Sequence, residues 1–175
     1  MILEGATSGQ GVMTQTSSFD WDRIYVALAP RVFNYFRFRI GSHIDAEDLT
    51  SRTFEKAWTS RSQYRHDLSG VSTWVLKIAQ NVAIDHLRAR RDYVSIDDVA
   101  PLLTEDTPAK DAERASNLAR LAALTRDLPD RDRDLLALKY GATVNNREIA
   151  NLTGLSESNV GTLLHRLVQT LRARW

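Results

Sequence analysis

The chain has 175 residues, 43% of them hydrophobic and 26% charged, which fits one medium or two small globular domains. It has no cysteine, which excludes a disulfide framework, a thiolate metal site and a cysteine nucleophile, and fits a cytoplasmic protein. The formal net charge of +1 does not announce a nucleic-acid partner, so the distribution of charge carries more than its sum.

The opening residues, MILEGATSGQGVMTQTSS, lack a basic start and an apolar core. They read as a disordered tail over residues 1–18 rather than a signal peptide. No apolar run is long enough to span a bilayer, so no membrane insertion is expected. From Phe19 to Ile40 the spacing of Ile24, Leu28, Val32, Tyr35, Phe36 and Ile40 predicts helix. Pro30 is expected to divide this run into two helices, and Gly41 and Ser42 to end it. Asp45 is expected to cap the next helix, DAEDLTSRTFEKAW. That helix buries Ala46, Leu49, Thr53, Phe54 and Ala57 and leaves Asp48, Ser51 and Glu55 opposite, with Trp58 at the edge. A face of this kind most often meets only solvent, yet a tryptophan beside an acidic stripe also composes a protein-binding surface.

Gln63 to Ser72, QYRHDLSGVS, reads as a loop, with Ser72 capping the longest helix, Thr73 to about Arg91. Trp74, Val75, Ile78, Ala79, Val82, Ala83 and Leu87 give that helix a wide apolar face; Lys77, Asn81, Ile84 and Arg88 form a stripe on the other side. Arg88, Arg90 and Arg91 at its end have a purely structural reading, since cations at a helix C-terminus are stabilised by ~0.3–1 kcal/mol each. The Lys-Asn-Arg stripe beside Tyr64, Arg65 and His66 also suits a nucleic-acid backbone and unstacked bases.

Residues 92–113 are acidic, with Lys110 the lone cation, and carry Pro101 and Pro108. They read as a flexible linker. A second helical unit, residues 114–175, follows: Leu118, Leu121, Leu124 and Leu128 mark one helix, Pro129 stands at the start of the next, Leu135, Leu136 and Leu138 mark it, and Gly141 ends it. NREIANLTGLSESNVGTLLHRLVQTLRARW then reads as a helix-turn-helix. Its first helix runs roughly from Arg147 to Leu152, Gly154 takes the left-handed turn and Ser156 caps the second helix. Ala150, Gly154 and Val160 supply the small residue, the turn glycine and the β-branched packing residue that the motif needs. Val160, Leu163, Leu164, Leu167 and Leu171 share one side of the second helix; Ser158, Thr162, His165, Arg166, Gln169 and Arg172 share the other. Its first turns, with Ser156, Glu157, Ser158, Asn159 and Thr162, stand where such proteins meet base edges in the major groove. The plainer reading is an antiparallel helix pair packed on a core. The expected fold is therefore all-α, with two small helical domains over 19–91 and 114–175 joined by the linker, the second holding the helix-turn-helix.

Taken together, the pattern resembles the bacterial RNA polymerase sigma factors of the extracytoplasmic-function group, part of the sigma-70 family. DAEDLTSRTFEKAW is similar to their core-binding segment, TWVLKIAQNVAIDHLRARR to their promoter-melting and minus-ten segment, and the residues from LPDRDRDLLALKYG through the helix-turn-helix to their minus-thirty-five domain. The resemblance implies a protein that binds core RNA polymerase through its β′ and β subunits, recognises promoter DNA, helps open the duplex and is held by an anti-sigma factor. It assigns Asp48, Ser51, Glu55 and Trp58 to core polymerase. Tyr64, Arg65, His66, Trp74, Lys77, Asn81, Arg88, Arg90 and Arg91 go to the minus-ten element, and Ser156, Glu157, Ser158, Asn159, Thr162, His165 and Arg166 to the minus-thirty-five element. Ser51-Arg52 stands where the family often has Gln-Glu, and Gly161 and Leu163 where it commonly has Lys and Arg; these departures bear on promoter identity. Two other classes make different demands on the sequence. A regulator with a sensor domain would need a ligand pocket or phosphoacceptor context. An enzyme would need ligand-spaced groups, whereas His43, His66, His86 and His165 are scattered and no phosphate-binding glycine loop stands out. No catalytic residue, cofactor or metal ion is expected.

Overall fold

The computed structural model describes residues 20–93 and 120–175, apart from residue 122 and the side chains of residues 91–93. The expected tail, nearly all of the expected linker and the Arg91 side chain lie outside them. Every regular element among the described residues is helical.

Helix α1, Trp21–Ile40, starts where the Asp20 carboxylate accepts the Arg23 backbone N–H and ends at Gly41, whose φ of 92° few other residues adopt. It is a single helix, against the expected break at Pro30. Proline removes the hydrogen bond to the Val26 carbonyl, but Val26 and Pro30 both face solvent, where losing that bond costs less than it would in the core. Leu28 and Val32 are buried on the opposite side and anchor the helix on either side of Pro30. Helix α2, His43–Thr59, is capped by Ser42, whose hydroxyl oxygen accepts the Asp45 N–H at 3.1 Å. The expected cap, Asp45, lies instead in the first turn, where a negative charge is favoured. Its two buried threonines, Thr50 and Thr53, donate to the Ala46 and Leu49 carbonyls of the same helix at 2.6 and 2.7 Å, so neither leaves a polar group unpaired. A 3-10 turn, Arg61–Gln63, and a loop lead to helix α3, Val71–Tyr93. This helix begins ahead of Ser72, the expected cap, because the Gly70 carbonyl already accepts the Trp74 N–H at 3.1 Å.

In the second group, residues 120, 121 and 123–126 are helical. Pro129 then precedes helix α4, Asp130–Leu136, which passes into a π turn, Ala137–Gly141. There the Ala142 N–H reaches back to the Ala137 carbonyl at 2.9 Å. Helix α5, Asn146–Thr153, is capped by Asn145, and helix α6, Glu157–Arg174, by Ser156.

One continuous set of buried side chains runs through both groups, with Val32, Tyr35, Phe36, Leu49 and Val75 from the first and Leu135, Leu136, Leu138, Ile149 and Val160 from the second. Each buried Leu, Ile, Val or Phe contributes about 1.5–3 kcal/mol relative to exposure. The groups meet closely where the π turn passes α1. A Cβ on Gly141 would stand 2.8 Å from the Asn34 carbonyl oxygen, so only glycine fits this seat unchanged. Beside it, Arg31 Nε donates to the Ala142 carbonyl at 2.9 Å.

Candidate nucleic-acid and partner interfaces

The outer face of α2 is polar because its inner face, Ala46, Leu49, Thr53, Phe54 and Ala57, is used up in the core. Asp48, Ser51 and Glu55 are all exposed, as the sequence predicts. Arg52 Nε lies 2.9 Å from an Asp48 carboxylate oxygen and offsets part of that acidity. Trp58 is 49% exposed; its ring meets the edge of Trp21 at 5.5 Å, and the Arg61 guanidinium lies 4.1 Å over it. Helical periodicity thus sets the stripe, and the aromatic stack fixes the tryptophan at its end.

A second face forms where the 64–70 loop meets α3. Trp74 is wedged between Trp21 at 6.3 Å and Tyr64 at 5.0 Å, so it is half core and half surface. The Tyr64 hydroxyl donates to the Ser69 carbonyl at 2.9 Å and closes the loop; burial raises its pKa and keeps that proton in place. Arg65 grips Asp67 with two hydrogen bonds, at 2.9 and 2.8 Å, and these hold the Asp67 carboxyl below its ordinary pKa. His66 is exposed at the loop tip, and Asn81 and Arg88 continue an exposed stripe along α3. Arg90 Nη1 and His86 Nε2 stand 3.8 and 3.9 Å from the Asp45 carboxylate, so part of the cationic helix end turns toward α2. Lys77 is exposed within the stripe, but its ammonium donates to the Leu152 carbonyl, at the end of α5, at 2.9 Å.

The helix-turn-helix has the expected geometry. Gly154 has φ 75°, and its N–H closes on the Ala150 carbonyl at 2.8 Å. The Ser156 hydroxyl oxygen accepts the Asn159 N–H at 3.2 Å. Ile149, Leu152, Val160, Leu164 and Leu167 bury the inner faces, so Ser156, Glu157, Ser158, Asn159, Thr162, His165 and Arg166 all look outward. Glu157 lies 3.5 Å from Arg147 Nε, which balances the acid in the first turn of α6. Gly161 has room: a Cβ there would meet Asn146 Nδ2 at 3.5 Å, an ordinary contact.

Sequence reasoning missed the residues that join the groups. Asp134 of α4 accepts from the Tyr35 hydroxyl of α1 and from Gln80 Nε2 of α3, both at 2.6 Å. The guanidinium of Arg39, 6% exposed, lies 3.8 Å from Asp134 and 3.6 Å from Asp130. Gln80 carried a usable signal, since it is a polar residue on the apolar side of a long helix, next to Ala79 and Ala83. Among the described residues there is no group of three or more His, Asp or Glu side chains arranged to hold a metal ion.

Comparison with known proteins follows the same division. Residues 24–93 match the Sigma-70 region 2 profile and residues 118–171 the Sigma-70 region 4 profile. The chain is 29% identical to the extracytoplasmic-function RNA polymerase sigma factor SigM of Bacillus subtilis, over 87% of this chain and 93% of that one. It is 29% identical to BldN of Streptomyces coelicolor, covering 85% of this chain but 58% of that protein's length. Among solved structures, RpoE of Bartonella quintana, in complex with the anti-sigma factor NepR, aligns over 88% of this chain and 95% of that one with a TM-score of 0.64 at 20% identity. CnrH, in complex with the cytosolic domain of CnrY, aligns over 87% and 85% with a TM-score of 0.61 at 23% identity. These two likenesses establish a shared fold.

Proposed function

Since the chain belongs to the extracytoplasmic-function group of the sigma-70 family, with region 2 and region 4 in order, we propose that it binds core RNA polymerase, recognises promoter DNA and promotes duplex opening at initiation. The observation that carries this reading is the pairing of two separate outward polar faces, one on α2 and α3 and one on α6, each on the segment that matches the corresponding region. Its family comprises regulators of initiation, and the chain acts by binding rather than by covalent chemistry. It works in the cytoplasm, with its polymerase; no helix among the described residues is long and apolar enough to cross a membrane.

In this reading residues 19–91 form the core-binding and minus-ten domain, 92–113 the linker and 114–175 the minus-thirty-five domain. Asp48, Ser51 and Glu55 meet a basic surface of the β′ subunit, and Trp58 adds an aromatic anchor. Tyr64, Trp74 and Asn81 border the place where an unstacked base of the minus-ten strand would lie, because stacking on a ring offsets the few kcal/mol that unstacking costs. Arg88, Arg90 and Arg91 hold phosphates. On α6, Ser158, Asn159 and Thr162 read base edges, while Arg166 grips the backbone. An anti-sigma factor is a further partner, as the complex of RpoE with NepR suggests for this fold.

The test is transcription in vitro with purified core enzyme on a library of promoters. Selective initiation from a subset carrying common minus-ten and minus-thirty-five sequences is expected. Equal output with and without the protein on every template would overturn the reading.

A further inference from the structure

The loop from Tyr64 to Gly70 is held together from within, and Arg65 is the residue on which its bonds converge. The Arg65 carbonyl accepts two N–H groups, from Leu68 at 3.0 Å and from Ser69 at 3.4 Å. The Arg65 guanidinium donates through Nε and Nη2 to the two carboxylate oxygens of Asp67, at 2.9 and 2.8 Å. The Tyr64 hydroxyl closes the loop by donating to the Ser69 carbonyl at 2.9 Å, and the Gly70 carbonyl accepts the Trp74 N–H at 3.1 Å, which ties the loop to the first turn of α3. Between these ties one large apolar side chain is turned out: Leu68 is 74% exposed. A single exposed leucine is ordinary on a protein surface. This one stands on a loop whose shape is already set and whose Tyr64 ring rests on Trp74 at 5.0 Å.

The same geometry takes Arg65 away from DNA phosphates. A guanidinium grips a phosphate best through two parallel N–H groups, and here a carboxylate fills that fork. A phosphate in its place would leave the Asp67 charge unpaired beside it. The Arg65–Asp67 pair sums to no net charge, so it offers a base more than it offers a backbone. An unstacked base, in turn, has two faces, and such bases are held between aromatic or apolar side chains. Tyr64 and Trp74 lie against each other and so make one wall, with Asn81 further along the same side of α3. The exposed apolar side chain of the adjoining loop, Leu68, is suited to the second.

We propose that Leu68 packs against the unstacked minus-ten base, and that Arg65 and Asp67 are positioning residues that hold it in place without touching DNA. The inference rests on the sigma-factor reading above. A loop already in its bound form gives up little backbone freedom when the base arrives, so breaking the pair lowers affinity even though it frees a cation. A phosphate-gripping Arg65 would give the opposite sign. Removing Asp67 would then release the guanidinium, take away a repelling charge and strengthen binding.

The experiment uses the full chain assembled with core polymerase. The probe is a fork template from the promoters selected above, with the non-template strand of its minus-ten element unpaired; a blunt duplex of the same sequence is the control. Wild type is compared with Asp67→Ala, Arg65→Ala, the exchanged pair Arg65→Asp with Asp67→Arg, Leu68→Ala and Leu68→Met. These positions are exposed, so Tm and core binding should hardly move. Expected is about tenfold weaker fork binding for each alanine variant, the scale of one lost base contact or one loop residue set free, with duplex binding unchanged. Leu68→Met keeps the volume, and the exchanged pair keeps the bridge and the net charge, so both should recover most of the loss. Arg65→Ala should not flatten the salt slope by the ~0.7 unit that a lost single-strand phosphate contact gives. Asp67→Ala binding the fork as tightly as wild type, or more tightly, overturns the positioning role, and so does an exchanged pair no better than Arg65→Ala. Leu68→Ala at wild-type fork affinity overturns the base contact. Failure of the sigma-factor reading looks different: wild type itself then forms no complex with core polymerase or binds no template selectively, and the inference falls with it.

Discussion

Replacing Gly141 with alanine puts a Cβ 2.8 Å from the Asn34 carbonyl oxygen, 3.2 Å from its carbonyl carbon and 3.2 Å from Phe38 Cβ. Two of these neighbours are backbone atoms in the middle of α1, which cannot swing aside as a side-chain tip would. Overpacking of this kind costs about 1–3 kcal/mol, which outweighs a gain in helix propensity of up to ~1 kcal/mol, so a net loss is expected. The same substitution at Gly161 has the opposite sign. A Cβ there finds Asn146 Nδ2 at 3.5 Å and open space otherwise, inside α6, so only the propensity gain of ~0.5–1 kcal/mol remains. In a chain of this size each kcal/mol moves Tm by roughly 2–4 °C. Thermal unfolding followed by circular dichroism should show Gly141→Ala melting below wild type and Gly161→Ala above it. A Gly141→Ala protein that melts at or above wild type refutes the close seating of the π turn on α1.

On α2, Asp48→Arg with Glu55→Arg should weaken core binding, measured by fluorescence anisotropy, with Tm nearly unchanged, since exposed sites usually shift stability by only ~0.5 kcal/mol; unchanged affinity removes that face from the interface. On α3, Asn81→Ala should lower permanganate reactivity of minus-ten thymines with little effect on closed-complex binding, whereas Trp74→Ala should also cost about 2–4 kcal/mol of stability because its ring is packed between two others. On α6, Arg166→Ala should flatten the slope of log affinity against log salt by roughly one unit for all sequences alike, while Ser158 or Asn159 changes should alter which sequence is preferred; the reverse pattern would dissolve the division into reading and gripping residues. Burial, reinforced by the Asp134 charge, holds the Tyr35 pKa well above its ordinary value. The folded chain therefore keeps a proton that the unfolded chain loses above about pH 10, and stability falls as pH rises beyond that point. Tyr35→Phe should show a shallower alkaline decline in Tm than wild type.

Local signals carried most of the fold and the outward faces. Helical spacing placed Leu49, Thr53 and Ala57 inside and Asp48, Ser51 and Glu55 outside, because a period of 3.6 residues divides a helix before any partner is known. Gly154 and Ser156 were legible for the same reason: a left-handed turn and an N-cap are settled within a few residues. Pro30 misled because its cost depends on which side of α1 it faces, and that is decided by packing. Ser42 and Asp45 compete for one cap, and the chain leaving Gly41 gives it to Ser42. Gln80 alone gave a local signal; its pairing with Asp134, and that of Tyr35, was out of reach. Tyr35 and Gln80 meet Asp134 across 99 and 54 residues of sequence, and no local period links residues so far apart.

The ring stack in the first group makes the molecule its own optical instrument. Trp21 lies 5.5 Å from Trp58 and 6.3 Å from Trp74, so three of the chain's four tryptophans share one excitation network. Trp58 opens toward the face proposed for polymerase and Trp74 toward the one proposed for DNA, with Trp21 as the bridge. A quencher arriving at either face would dim emission from the whole cluster. The fourth, Trp175, is outside this stack and has the Arg120 guanidinium 4.6 Å over its ring. Unlabelled protein thus carries a built-in reporter of the occupancy of its first half.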